Sequence, residues 1–95
     1  MYNKIILIGH LTADSQLFYT PQGTPVNRFR IAVNTKLSEK EEVLFIDVVT
    51  FNKIAENLNP YLFKGQRVLV EGRLREVKWK SPEGMERSKF EVVCQ

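Results

Sequence analysis

At 95 residues the chain makes one domain, 1–95, with room for a single modest core. Hydrophobic content of 43% and charged content of 26% describe an ordinary globular protein, and no stretch approaches the ~20 consecutive apolar residues that a membrane span needs. The net charge is only +3, yet Lys64, Arg67, Arg73, Arg75, Lys78 and Lys80 stand against just Glu71 and Glu76 over residues 64–80, so one segment holds the whole basic excess, as expected of a surface for polyanions.

The first run, NKIILIG over Asn3 to Gly9, is apolar on both faces, with Ile5 and Leu7 on one and Ile6 and Ile8 on the other. That predicts a strand buried on both sides, and in so small a chain a second subunit is the expected cover. Gly9 and the polar stretch through Gln16 predict a bend or bulge. Leu17 to Tyr19 continues extended, and Thr20-Pro21-Gln22-Gly23-Thr24 carries the residues of a β-turn. Val26 to Thr35 alternates as a second strand, with Phe29, Ile31 and Val33 on one face and Arg28 and Arg30 outward on the other. Lys36 to Glu42 reads as a polar hairpin loop, and Val43 to Phe51 as the third strand. There Phe45, Asp47, Val49 and Phe51 share a face. An unpaired buried carboxylate is costly, so this face is the less sealed of the two. On it, Phe45 and Phe51 are either exposed stacking platforms or a cover over the barrel.

Asn52 is placed to cap a helix through Lys53 to Phe63, in which Ile54, Leu58 and Leu62 form an apolar stripe. Pro60 is expected to distort or divide it, and Gly65 to end it. Val68 to Lys80, VLVEGRLREVKWK, starts as an apolar strand and ends on charge. Val68 to Gly72 reads as barrel wall and Arg73 to Lys80 as an arm, where Arg73, Arg75, Lys78 and Lys80 surround Trp79. Cations beside a ring suit a nucleic-acid strand, because phosphates need positive groups and unpaired bases offer flat faces to stack. The competing reading is an edge strand with a solvated basic face and a core tryptophan. Ser81-Pro82-Glu83-Gly84 predicts a turn. Arg87 to Val93 closes the chain as a strand with Phe90 and Val92 opposite Lys89, Glu91 and Val93.

Five strands with one helix between strands 3 and 4 define an all-β fold, the five-stranded OB-fold Greek-key barrel, whose strand 2 and 3 face binds oligonucleotides or oligosaccharides. Strands 2 and 3 then supply Arg28, Arg30, Phe45 and Phe51 to that face, and strand 4 brings Trp79 with its cations.

The chain resembles the bacterial-type single-stranded DNA-binding proteins along essentially its full length, through NKIILIGHL, YTPQGTPV, FIDVVTFNKIAE, YLFKG, VLVEGRLREVKW and KFEVV in order. The resemblance implies sequence-independent binding and protection of single-stranded DNA in replication, recombination and repair. It implies bases stacked on Phe45, Phe51 and Trp79, with Lys53, Lys64, Arg75 and Lys78 where family members often carry backbone-contacting cations. It also implies a homotetramer, a dimer of dimers paired through the first strand, Lys4 to Ile8. The chain departs from the pattern at Leu37, where many members carry a further aromatic, and in a shorter hairpin. Phe18, Asp47 and Val77 sit where some members have cations, and Phe18 could itself stack. The family's flexible region and acidic tip do not follow Gln95, so the replication and repair partners recruited there are not expected.

An enzyme needs a metal cluster, an activated nucleophile or a phosphate-cradling loop. One histidine, one cysteine and scattered glycines predict none of these, so neither catalysis nor a cofactor is expected, and His10 reads as a bend residue. The remaining alternative is an OB-fold protein-interaction module of the primosomal type. The lone Cys94 excludes an internal disulfide, and without a signal peptide the expected location is cytoplasmic, with the nucleoid.

Overall fold

The computed structural model describes residues Met1–Cys94. There are six strands, β1 (Ile5–Leu11), β2 (Gln16–Tyr19), β3 (Pro25–Leu37), β4 (Lys40–Phe51), β5 (Arg67–Lys80) and β6 (Glu86–Cys94), with one α-helix, α1 (Asn52–Leu58), between β4 and β5. Five of them form the barrel in the order β1-β5-β6-β4-β3, and β1 closes the ring by pairing with β3 as well. β2, the extended segment foreseen around Leu17, adds to the outer edge of β3. The parallel β4–β6 pair among otherwise antiparallel neighbours carries the Greek-key crossover.

Closure depends on Gly9, as the expected bend there requires. β1 follows β5 from Ile5 to His10 and then meets β3 at His10 and Leu11. A Cβ on Gly9 would lie 2.6 Å from the Ala32 carbonyl oxygen, so only glycine lets the strand cross that closely. Gly72 is confined in the same way by the Val93 backbone. We expect Gly72→Ala to lower the melting temperature sharply, because the obstruction is backbone between two paired strands and cannot rotate away; an unchanged melt would show that β5 and β6 can part there.

The interior is aliphatic, built on Leu11, Ile31, Ile46, Val48, Val70 and Val92 with Phe29. Alternation in β3, β4 and β5 assigns these inward positions as the sequence predicts. Both proline turns form, and by one device. In TPQG and SPEG the glycine sits at φ near +85° (Gly23 85, Gly84 83) and donates its N–H to the first residue's carbonyl at 2.8 Å. The Thr20 and Ser81 hydroxyls then accept from the N–H of Thr24 and Met85.

Four expectations need correction. Residues 36–42 are not a loop: β3 and β4 stay paired to Leu37 and Lys40, and only Ser38 and Glu39 turn, with Ser38 at φ 58°. The helix stops at Leu58, and Pro60 lies in a separate 3₁₀ turn, Asn59–Tyr61. Of the expected stripe only Leu58 packs on the core from the helix, beside the buried Ala55, while Ile54 is exposed and Leu62 reaches the core from extended backbone. Asn52 makes no capping hydrogen bond; at φ 64° it turns β4 straight into α1, a conformation asparagine tolerates. Gly65, at φ 86°, serves the turn into β5, where its N–H donates to the Leu11 carbonyl at 2.8 Å.

The arm is also shorter than Arg73 to Lys80. Glu91 to Val93 of β6 pair with β4 on one side and with Arg73 to Arg75 on the other, which keeps those β5 residues in the barrel wall. The free two-stranded ribbon begins at Glu76 and Phe90. Phe90, which shares the parity of the core residue Val92, is therefore exposed, because the barrel has ended beneath it.

Candidate nucleic-acid interface

Strand registers collect one outward face. Phe18 of β2 lies beside Val26 of β3, and Val26 beside Phe51 of β4. Farther along the same pair of strands, Arg28, Arg30 and Ala32 oppose Val49, Asp47 and Phe45. Asp47 neighbours Glu91 of β6, whose row continues with Lys89 and Arg87 opposite Arg75, Val77 and Trp79 of β5. Four rings are thus on one side of the sheet. Phe45 is 58% exposed, Trp79 47% and Phe18 43%, while Phe51 is half-buried. The two readings left open for Phe45 and Trp79 resolve toward exposure.

The charges on this face are ordered. Asp47, nearly buried, accepts from Arg30 Nε at 2.9 Å and from Lys89 Nζ at 2.8 Å. Glu91, 1% exposed, accepts from Arg75 Nη2 at 2.9 Å, with Arg28 Nη1 3.6 Å from its other oxygen. Arg75 also places its guanidinium over Phe51, 5.7 Å from the ring centre. Asp47 therefore does not interrupt the line of cations: it holds one from each neighbouring strand. Lys89 stands directly across the ribbon from Val77.

Burial would raise the Asp47 pKa, but the hydrogen bonds from Arg30 and Lys89 outweigh it and hold the carboxyl below its ordinary value. A carboxyl depressed on folding stabilises the fold above its unfolded pKa and loses that contribution as pH falls through the folded one. The melting-temperature gap between the parent and Asp47→Asn is therefore expected at neutral pH and should close below about pH 4. A gap that widened in acid would contradict this pairing.

Of the anticipated residues, Phe18, Phe45, Phe51, Trp79, Arg28, Arg30, Arg73 and Arg75 share the face. Lys78 does not: it alternates to the ribbon's other side, 4.0 Å from Glu76. Lys53 is exposed on the first turn of α1, and Lys64 stands in the loop before β5, its N–H donating to Asp14 at 2.8 Å. Lys89, Arg87 and the buried Glu91 belong to the face but were not anticipated as part of it; the alternation of β6 carried the signal once its register with β5 was known. Leu37, at the end of β3, is exposed where another ring was looked for.

On the opposite outer side, Ile8 of β1 faces Leu69 of β5, and Ile6 lies next along β1. All three are about half exposed or more, and an ion pair of 3.1 Å between Lys4 and Glu71 flanks them. The first strand is therefore apolar on both faces, as read, and only one face is covered within the subunit. Among the described residues no helix is long and apolar enough to cross a membrane.

A closed OB barrel with exposed rings set among cations on its β3–β4 face, and continuing onto a β5–β6 ribbon, has the architecture of the single-strand nucleic-acid binders. The comparisons give the particular lineage. Residues 2–95 match the model of the single-strand binding protein family, and the chain belongs to that family. It is 42% identical over 100 residues to the single-stranded DNA-binding protein of Wolinella succinogenes, covering 100% of this chain and 62% of that protein. Against the Thermotoga maritima protein of the same name, identity is 43% over 98 residues, covering 98% and 70%. The chain thus spans about 60% of the length of the first of these relatives. The Plasmodium falciparum SSB solved in complex with ssDNA superposes with a TM-score of 0.91 at 26% identity, over 99% of this chain and 87% of that one.

Proposed function

We propose that this domain binds single-stranded DNA without sequence preference, by stacking bases on Trp79, Phe45, Phe51 and Phe18 while the cations beside them meet phosphates. The observation that carries this reading is the collection of those rings on one face, with Arg28, Arg30, Arg73, Arg75 and Lys89 between them. Every base offers a face to stack, so sequence matters little; duplex DNA, with its bases already stacked, binds poorly. Lys53, Lys64 and Lys78, off that face, extend the path for the backbone. The working unit is a homo-oligomer paired through the outer side of β1, a dimer of dimers, and its role is to cover single strands during replication, recombination and repair, in the cytoplasm. No catalytic step or cofactor enters.

Titration with oligo-dT followed by Trp79 fluorescence tests this. Quenching that saturates on oligo-dT and is weak with duplex of equal length is the expected result. An unquenched tryptophan, or a preference for duplex, would overturn the proposal.

A further inference from the structure

We infer that Asp47 and Glu91 are specificity-determining residues: internal counter-ions that cancel part of the charge on the ring-bearing face, so that it selects unstacked bases over polyanions in general. The inference rests on the function proposed above. The two carboxylates are adjacent across the β4–β6 pair, at the centre of the face, and their residues are 8% and 1% exposed. Each lies between two cations: Arg30 and Lys89 donate hydrogen bonds to Asp47, Arg75 donates one to Glu91, and Arg28 stands 3.6 Å from the other Glu91 oxygen. Three cations are thereby bonded in place, and of the four positive charges two are neutralised.

Stability alone does not explain the choice of charged groups here, since well-packed apolar side chains of similar volume in place of a whole buried ion pair often hold a fold as well. Its effect falls on the ligand. A duplex is bound almost wholly through phosphate charge, with affinity that rises steeply as salt is lowered. A single strand adds stacking, which salt hardly touches. Cancelling charge at the centre of the face therefore costs the duplex, and any other polyanion, more than it costs a single strand. Glu91 also holds Arg75 in one position above Phe51.

The test compares the parent with Asp47→Asn and Glu91→Gln, amides of the same shape, in anisotropy titrations of labelled oligo-dT and of a labelled duplex across a salt series. One uncancelled charge that meets a phosphate steepens the duplex slope by about 0.9 and tightens duplex binding roughly tenfold at about 50 mM salt. Oligo-dT affinity should change less, so the preference for single strands falls. Folded variants with the parent's slope and preference would overturn the assignment, as would loss of the fold in both, which would make the acids structural. A parent that fails to bind oligo-dT would instead sink the proposed function itself.

Discussion

Trp79→Ala should weaken binding to oligo-dT by roughly 1 to 3 kcal/mol, the contribution of one stacked base. The melting temperature should hardly move, because Trp79 is 47% exposed and lies on a ribbon outside the core. Neither should the salt slope, since the indole carries no charge and releases no counterion. Phe45→Ala, on the most exposed of the four rings, should behave alike. Phe51→Ala should differ: it also removes the ring under Arg75, so it changes both the stacking and the position of a cation. Equilibrium titrations at two or more salt concentrations check all three. If Trp79→Ala bound as tightly as the parent, the ribbon would not take part in stacking and the interface would end at the barrel.

Why the rings were legible in the sequence and the charges were not is a matter of range. Alternation is local, so the parity of Phe45, Phe51, Arg28 and Arg30 could be read from their own strands, and the two proline-glycine turns from five and four residues. The ion pairs join residues far apart in the chain, Arg30 to Asp47 over 17 positions, Arg75 to Glu91 over 16 and Lys89 to Asp47 over 42. They depend on registers that no single strand specifies. Asp47 thus looked like a gap in a phosphate path until β3 and β6 were placed beside it. The misread hairpin has another cause. Residues 36–42 are polar but for the exposed Leu37 because their ribbon stands clear of the core, and a ribbon held by backbone bonds and a tight turn needs no apolar alternation to form. Phe90 fails in the converse way: its parity points inward, but the wall opposite has stopped. Asn52 matches a cap in type, yet its positive φ makes it the corner itself, and the helix it begins is too short for the stripe ending at Leu62.

Ile8→Glu combined with Leu69→Glu should break the pairing through β1 and lower the mass of the assembly. These two side chains oppose each other on the outer side of β1 and β5, at 48% and 63% exposure, with Ile6 at 56% beside them. Solvent-facing positions of a lone domain seldom gather three such aliphatic groups on one patch, whereas a subunit interface requires them. Because none of the three contributes to the interior cluster, the barrel itself should keep its melting behaviour apart from what association adds. The consequence for DNA depends on length. An oligonucleotide short enough for one subunit meets the same rings in monomer and oligomer, so its affinity should be nearly unchanged. A strand long enough to cross subunits gains from linked sites, and that gain, about 10²- to 10⁴-fold, should be lost with the interface. Mass measurement together with titrations of short and long oligo-dT separates the cases. A parent already monomeric in solution, or a double variant that keeps the parent's mass, would remove β1 as the interface. A smaller variant that still held long strands as tightly as the parent would show that the β1 pairing adds nothing to the site.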